Sequence, residues 1–181
     1  MKNKAALSIL ILLFAVFSAH AENLLLSLKP GKHGNTQIVK TADAVSVTAE
    51  ASHGASFRVP IPAGTKQLFL SVRLEVDGVV RGAADWQNAR LGMRFYDKNA
   101  KPTGPWPDVI GASGTRKETL FERVYNVPEG AVSLKLDPWN YGTAGKAFFR
   151  EIRLFALHEQ NGADNLFLST PYTKASGTTV S

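Results

Sequence analysis

The chain has 181 residues, 44% of them hydrophobic and 20% charged, with no cysteine and 21 Lys plus Arg against 15 Asp plus Glu, a net charge of +6. That length suits a single domain whose core stands without disulfides or a structural metal, and the composition is too apolar for intrinsic disorder. The lack of Cys excludes thiolate nucleophiles, cysteine zinc sites, iron–sulfur clusters and a lipidated N-terminal Cys.

The first element is a leader. Lys2 and Lys4 precede an apolar run over 5–18 that is short for a membrane span, and Ala19-His20-Ala21 forms an A-x-A cleavage site. Residues 1–21 read as a signal peptide, so the protein is expected to be secreted or periplasmic, with no membrane span after cleavage. Removal of Lys2 and Lys4 lowers the net charge from +6 to +4. The remaining cations are scattered, and Arg116-Lys117 is their only adjacent pair. Nucleic-acid binders gather cations on a stripe or arm, so no nucleic-acid partner is expected.

Strands are then expected in sequence. Weak candidates lie at 24–28, 45–49 and 56–61. Over 67–76 the alternation is clean, with Leu68, Leu70, Val72, Leu74 and Val76 on one face. Over 90–96, Leu91, Met93 and Phe95 alternate with Arg90, Gly92, Arg94 and Tyr96. Residues 131–137 direct Val132, Leu134 and Leu136 to one side, and further strands are expected over 120–127 and 147–157. Turn signals fall between them at 60–64, Asp77-Gly78, 102–105, 128–130 and 142–145. Thr115-Arg116-Lys117-Glu118 fits a capping box and predicts a short helical turn before the next strand. One buried and one polar face per strand predicts an all-β sandwich of about eight to ten antiparallel strands over 22–158. Residues 159–181 read as a linker and a mobile tail rich in Thr, Ser, Gly and Ala.

Catalytic patterns are weak. Gly111-Ala112-Ser113-Gly114 lacks the G-x-S-x-G spacing. His33, His53 and His158 lie far apart and read as surface or loop residues rather than metal ligands. Carboxylate pairs such as Asp85 with Asp108, or Glu118 with Glu122, exist in sequence, but spacing does not set them across a sugar. Neither a catalytic residue nor a metal ligand is assigned. Aromatics are the stronger signal. Trp86, Trp106, Trp139 and Tyr141 stand beside turn signals and among polar groups, notably Arg90 and Asp108. Flat aromatic faces edged by amide, guanidinium and carboxylate groups suit sugar rings, which offer apolar C–H faces ringed by hydroxyls. The alternative is that these rings close the ends of the core.

Residues 86–97 (Trp-Gln-Asn-Ala-Arg-Leu-Gly-Met-Arg-Phe-Tyr-Asp), 104–108 (Gly-Pro-Trp-Pro-Asp) and 123–131 (Arg-Val-Tyr-Asn-Val-Pro-Glu-Gly-Ala) resemble a bacterial accessory domain. So does the closing segment 147–154 (Ala-Phe-Phe-Arg-Glu-Ile-Arg-Leu). The family is the galactose-binding-like jelly rolls, related to the carbohydrate-binding modules of glycoside hydrolases, and the resemblance covers about 45–157. It implies a jelly-roll β-sandwich that binds carbohydrate without cleaving it. Trp86, Trp106, Trp139 and Tyr141 would be platforms, and Arg90 and Asp108 polar anchors. Trp139 and Tyr141 lie outside the resembling stretches. Family members often carry an acidic pair on the closing strand that helps to hold a structural calcium. Arg150 stands at the first of those positions, with Glu151 at the second, and a guanidinium there opposes a hard cation. The segment 28–32 (Leu-Lys-Pro-Gly-Lys) is basic where the family has an Asn-Gly-Asp-like loop. No cofactor is therefore expected. The rival reading, from a different class, is a structural β-sandwich at the cell envelope that docks another exported protein.

Overall fold

The computed structural model describes residues 22–157. The leader expected over 1–21 and the linker and tail expected over 159–181 lie outside the described residues, as does His158. Ten strands follow in chain order: β1 (Gly31–His33), β2 (Thr36–Lys40), β3 (Val45–Glu50), β4 (His53–Pro60), β5 (Gln67–Val80), β6 (Ala89–Tyr96), β7 (Ile110–Ala112), β8 (Gly114–Asn126), β9 (Ser133–Asn140) and β10 (Ala144–Leu157). They form two five-stranded antiparallel sheets, ordered β1-β4-β9-β6-β7 and β2-β3-β10-β5-β8. The expected all-β sandwich is the observed architecture.

Alternation explains the layers. Phe57, Val59, Leu91, Met93, Phe95, Leu134 and Leu136 of the first sheet are buried against Val45, Val47, Leu68, Leu70, Val72, Phe149 and Leu154 of the second. Except in β10, each set recurs at even spacing along its strand, so one face is apolar and the other meets solvent. Val132 leaves the expected pattern: it precedes β9 and is exposed.

Where the apolar residues change phase, the strands bulge. In β10, Ala147 and Phe149 are buried, then Ile152 and Leu154. The odd step coincides with register shifts against β3 and β5 and with Glu151 at φ 51°. In β5 the step from Val76 to Val79 passes through Asp77-Gly78, which reads as a turn in sequence but lies inside the strand. Gly78, at φ 60°, absorbs the extra residue of a bulge, so the strand continues instead of reversing.

Two other expectations are corrected, and three strands were not expected. The capping box is strand: Thr115 belongs to β8, and its hydroxyl accepts from the Gly78 amide at 3.0 Å. Pairing with the bulged β5 thus overrides a local helix signal. Residues 24–28 form turns rather than a strand, held by buried Asn23. Asn23 Nδ2 donates to the carbonyls of Asp43 (2.9 Å) and Ile152 (3.1 Å), while its Oδ1 accepts from the amides of Leu25 and Leu154. Finally, the short strands β1, β2 and β7 have no clear alternation in sequence and owe their geometry to their neighbours.

Candidate functional site

Residues opposite one another on adjacent antiparallel strands point to the same side. Gly54 of β4, Trp139 of β9 and Arg90 of β6 are opposite one another, with His33 of β1 and Gly111 of β7 at the ends of the row. These residues face outward, because Ala55, Leu136 and Leu91, one or three positions along their strands, are buried. Next come Asp137 and Gly92, then Arg58, Lys135 and Arg94, then Ser133 and Tyr96. The six-residue step from Trp139 to Ser133 spans about 20 Å of strand, long enough for several linked sugar rings.

An aromatic group occupies one end. Trp139 and Tyr141 stack with ring centroids 5.4 Å apart and planes at 18°, Trp86 meets Tyr141 edge-on at 5.6 Å, and His33 tilts against Trp139 at 4.9 Å. The fold brings these together through Asn140, fully buried at the end of β9. Its Oδ1 accepts from the Gly142 amide (3.0 Å) and its Nδ2 donates to the Gly145 carbonyl (3.1 Å), turning the chain just after Trp139. The Tyr141 amide then donates to the Asn88 carbonyl at 3.0 Å, tying the turn to the loop that carries Trp86. That loop is closed by Gln87, whose Oε1 accepts from the Ala84 amide.

Arg90 lies beside this group, its Nε donating to Asn88 Oδ1 at 3.0 Å. Burial lowers the Arg90 pKa from its ordinary value. Burial first, and then the Asp137 charge, raise that of the Tyr141 hydroxyl, which is a neutral donor at neutral pH. Between the ends, Ser56 donates to Asp137 Oδ1 at 2.6 Å and Lys135 pairs with Asp137 at 3.0 Å. Gly92 adjoins them with room for a side chain it does not have, since a Cβ there would meet nothing closer than 3.8 Å.

Thus Trp86, Arg90, Trp139 and Tyr141 gather at one end, while Trp106 and Asp108 stand apart from them. Trp106 is 75% exposed and sits over the Arg94 guanidinium at 4.5 Å. Arg94 is four residues along β6 from Arg90, about 13 Å of strand, so Trp106 stands toward the far part of the same face. Asp108 engages through its backbone, its carbonyl accepting from the Tyr125 hydroxyl at 3.0 Å. Trp86, 52% exposed, and Trp106 are not core plugs. Trp139 is the next-to-last residue of β9, beside the turn that follows it.

Sequence reasoning missed His33, Tyr96, Arg58, Lys135 and Asp137, which reach this face only through strand pairing. His33, in β1, is exposed as expected of a surface residue, and His53, in β4, is half-buried with a buried Nδ1 that has no hydrogen-bond partner among the described residues. Two clefts are found among the described residues. One, of about 300 Å³, is lined mainly by Pro105, Pro107, Val124 and Tyr125, and the other, of about 390 Å³, by the 64–66 and 127–131 segments.

The closing-strand pair lies on the outer side of the second sheet. Arg150 pairs with Glu75 and with Glu118 (3.1 Å), and Glu151 with Arg73 (3.3 Å) and Arg153 (3.1 Å). Among the described residues no group of three or more His, Asp or Glu is placed to hold a metal ion, and no helix is long and apolar enough to cross a membrane.

No family model and no curated protein matches the chain. Solved structures similar to it include carbohydrate-binding modules. The CBM22-1 xylan-binding domain from Paenibacillus barcinonensis is 13% identical with a TM-score of 0.46, over 77% of this chain and 94% of that one. The xylan-binding module CBM15 is 15% identical with a TM-score of 0.46, over 77% and 97%. The enzymatically active domain of bacteriophage CBA120 tailspike protein 4 is 12% identical with a TM-score of 0.48; the match covers 75% of this chain but only 20% of the tailspike chain.

Proposed function

We propose that this is an exported, non-catalytic protein that binds a poly- or oligosaccharide along the outer face of the β1-β4-β9-β6-β7 sheet. The observation that carries the reading is the aromatic corner. Trp139 and Tyr141 lie nearly parallel, with Trp86 edge-on and Arg90 and Asn88 alongside. Together they offer apolar ring faces next to fixed hydrogen-bonding groups, the combination that a pyranose presents in reverse. Trp106 would serve as a second platform at the far end, and Asp108 as a rim contact. The non-catalytic assignment is supported by the inventory of the face. Among its outward strand residues Asp137 is the only carboxylate, and it is held by Lys135 and Ser56. Glycoside hydrolysis by the usual route needs two carboxylates flanking one bond.

The test is a glycan array probed with the purified protein and with Trp139→Ala. Binding of a defined glycan set that the variant loses supports the reading. Absence of binding to any glycan, together with recovery of a specific exported protein partner on the same face, replaces it with the docking role.

A further inference from the structure

The two outer faces of the sandwich treat their cations differently. On the β2-β3-β10-β5-β8 sheet every outward arginine of the central strands is matched: Arg73 with Glu118 and Glu151, Arg150 with Glu75 and Glu118, Arg153 with Asp43 and Glu151. On the opposite face Arg58, Lys135 and Arg94 stand directly opposite one another on three consecutive strands, β4, β9 and β6. Like charges in that relationship repel, and only Lys135 has a carboxylate partner. Among the described residues Arg58, Arg90 and Arg94 have none.

Neutral groups hold these three arginines instead. Arg58 lies over the Tyr96 ring at 5.0 Å and Arg94 over Trp106 at 4.5 Å. Asn88 accepts from Arg90, and the Gly104 carbonyl accepts from Arg94 Nη1 at 2.9 Å. Arg94 Nε is buried without a hydrogen-bond partner. Stacking and carbonyl contacts fix a guanidinium without cancelling its charge, and leave donors for an oxyanion. Arg58 and Arg94 are two strand spacings apart, about 10 Å, and Arg90 and Arg94 about 13 Å apart along β6. Such spacing suits anionic groups repeated along a polymer.

We propose that the ligand of this face is an acidic polysaccharide, with carboxylate or sulfate groups that meet Arg58, Arg94 and Arg90 while its rings meet the aromatic corner. This rests on the carbohydrate-binding reading above and adds the charge of the ligand.

The experiment measures binding of the purified protein to polygalacturonate, dextran sulfate, unsubstituted dextran, neutral xylan and duplex DNA at about 0.15 M salt and at higher salt. The expected result is binding to one or both acidic polysaccharides, weaker on the neutral polymers and on DNA, and falling as salt rises. Polygalacturonate against dextran sulfate separates the carboxylate from the sulfate source. Arg58→Gln and Arg94→Gln should each weaken acid-polymer binding by about tenfold, the scale of a lost charge-assisted hydrogen bond. Arg58→Gln should change the melting temperature of the free protein little, because the repulsion with Lys135 that it relieves offsets the stacking on Tyr96 that it removes. Neutral polysaccharide bound as tightly as acidic, and unaffected by either variant, overturns the acidic ligand and leaves the carbohydrate reading standing. DNA bound as tightly as the acidic glycans overturns it in favour of a general polyanion surface. No binding to any polysaccharide removes both readings together.

Discussion

Trp139 lies across Gly54. A Cβ built on Gly54 would stand 2.7 Å from Cδ2 of the indole, and 2.7 and 2.8 Å from backbone atoms of Pro138 and Trp139. The missing side chain on β4 lets the ring lie over the neighbouring strand and reach His33 on β1. The aromatic corner therefore depends on a residue with no side chain.

Gly54→Ala should displace Trp139 and destabilise the protein. Two of the three close contacts are backbone, which cannot swing aside as a flexible side chain does. The expected cost is about 1–3 kcal/mol, typical of overpacking. A urea melt measures it. A change in tryptophan fluorescence should accompany it, and an unaltered spectrum with unaltered stability would remove Gly54 as the support of the platform.

Trp106→Ala should cost little stability and much of the glycan binding. At 75% exposure the ring buries little, and its contact with Arg94 is of a kind worth about 0.5–1 kcal/mol at exposed sites. A core tryptophan would cost about 3–5 kcal/mol. Equilibrium denaturation separates these outcomes before any ligand is known, and a loss in the higher range would assign Trp106 a structural role.

Asn23→Ala should be among the more damaging polar substitutions. It orphans the buried amides of Leu25 and Leu154 and frees the carbonyls of Asp43 and Ile152. Each buried unsatisfied group costs about 1–3 kcal/mol. Hydrogen exchange should quicken at Leu24, Leu25 and Leu154, because the amides there lose their anchor. Protection equal to wild type at those positions would contradict the latch.

Stability should fall in acid through the second sheet's ion pairs. The hydrogen bond from Arg153 holds the Glu151 and Asp43 carboxyls below their ordinary values of 4.5 and 3.8. A carboxylate whose folded pKa is depressed adds stability above its unfolded pKa and loses it as pH falls through the folded one. The loss should therefore begin below about pH 4.5 and deepen with further acidification. Both groups are exposed, so the effect is modest and screened by salt. Arg153→Gln should flatten this acid limb in a series of thermal melts. An unchanged limb would show that these pairs contribute nothing.

The two-residue periods at 67–76, 90–96 and 131–137 were legible because alternation alone decides which side chains leave water; they determined the sandwich and most of its core. Even the odd steps at Val76–Val79 and Phe149–Ile152 were present in the spacing, although Asp77-Gly78 reads locally as a turn. Its outcome depended on β8 and β10 lying alongside β5 to continue the ladder. The four aromatics could be named from sequence, but not their grouping, since Trp86 and Tyr141 meet across 55 residues of chain. The cation row was hidden for the same reason: Arg58, Lys135 and Arg94 are scattered in sequence and become neighbours only when β4, β9 and β6 pair in this register. Period records which side of its own strand a residue occupies. Which residues of other strands share that side is set by register, and register is a property of the packed sheet.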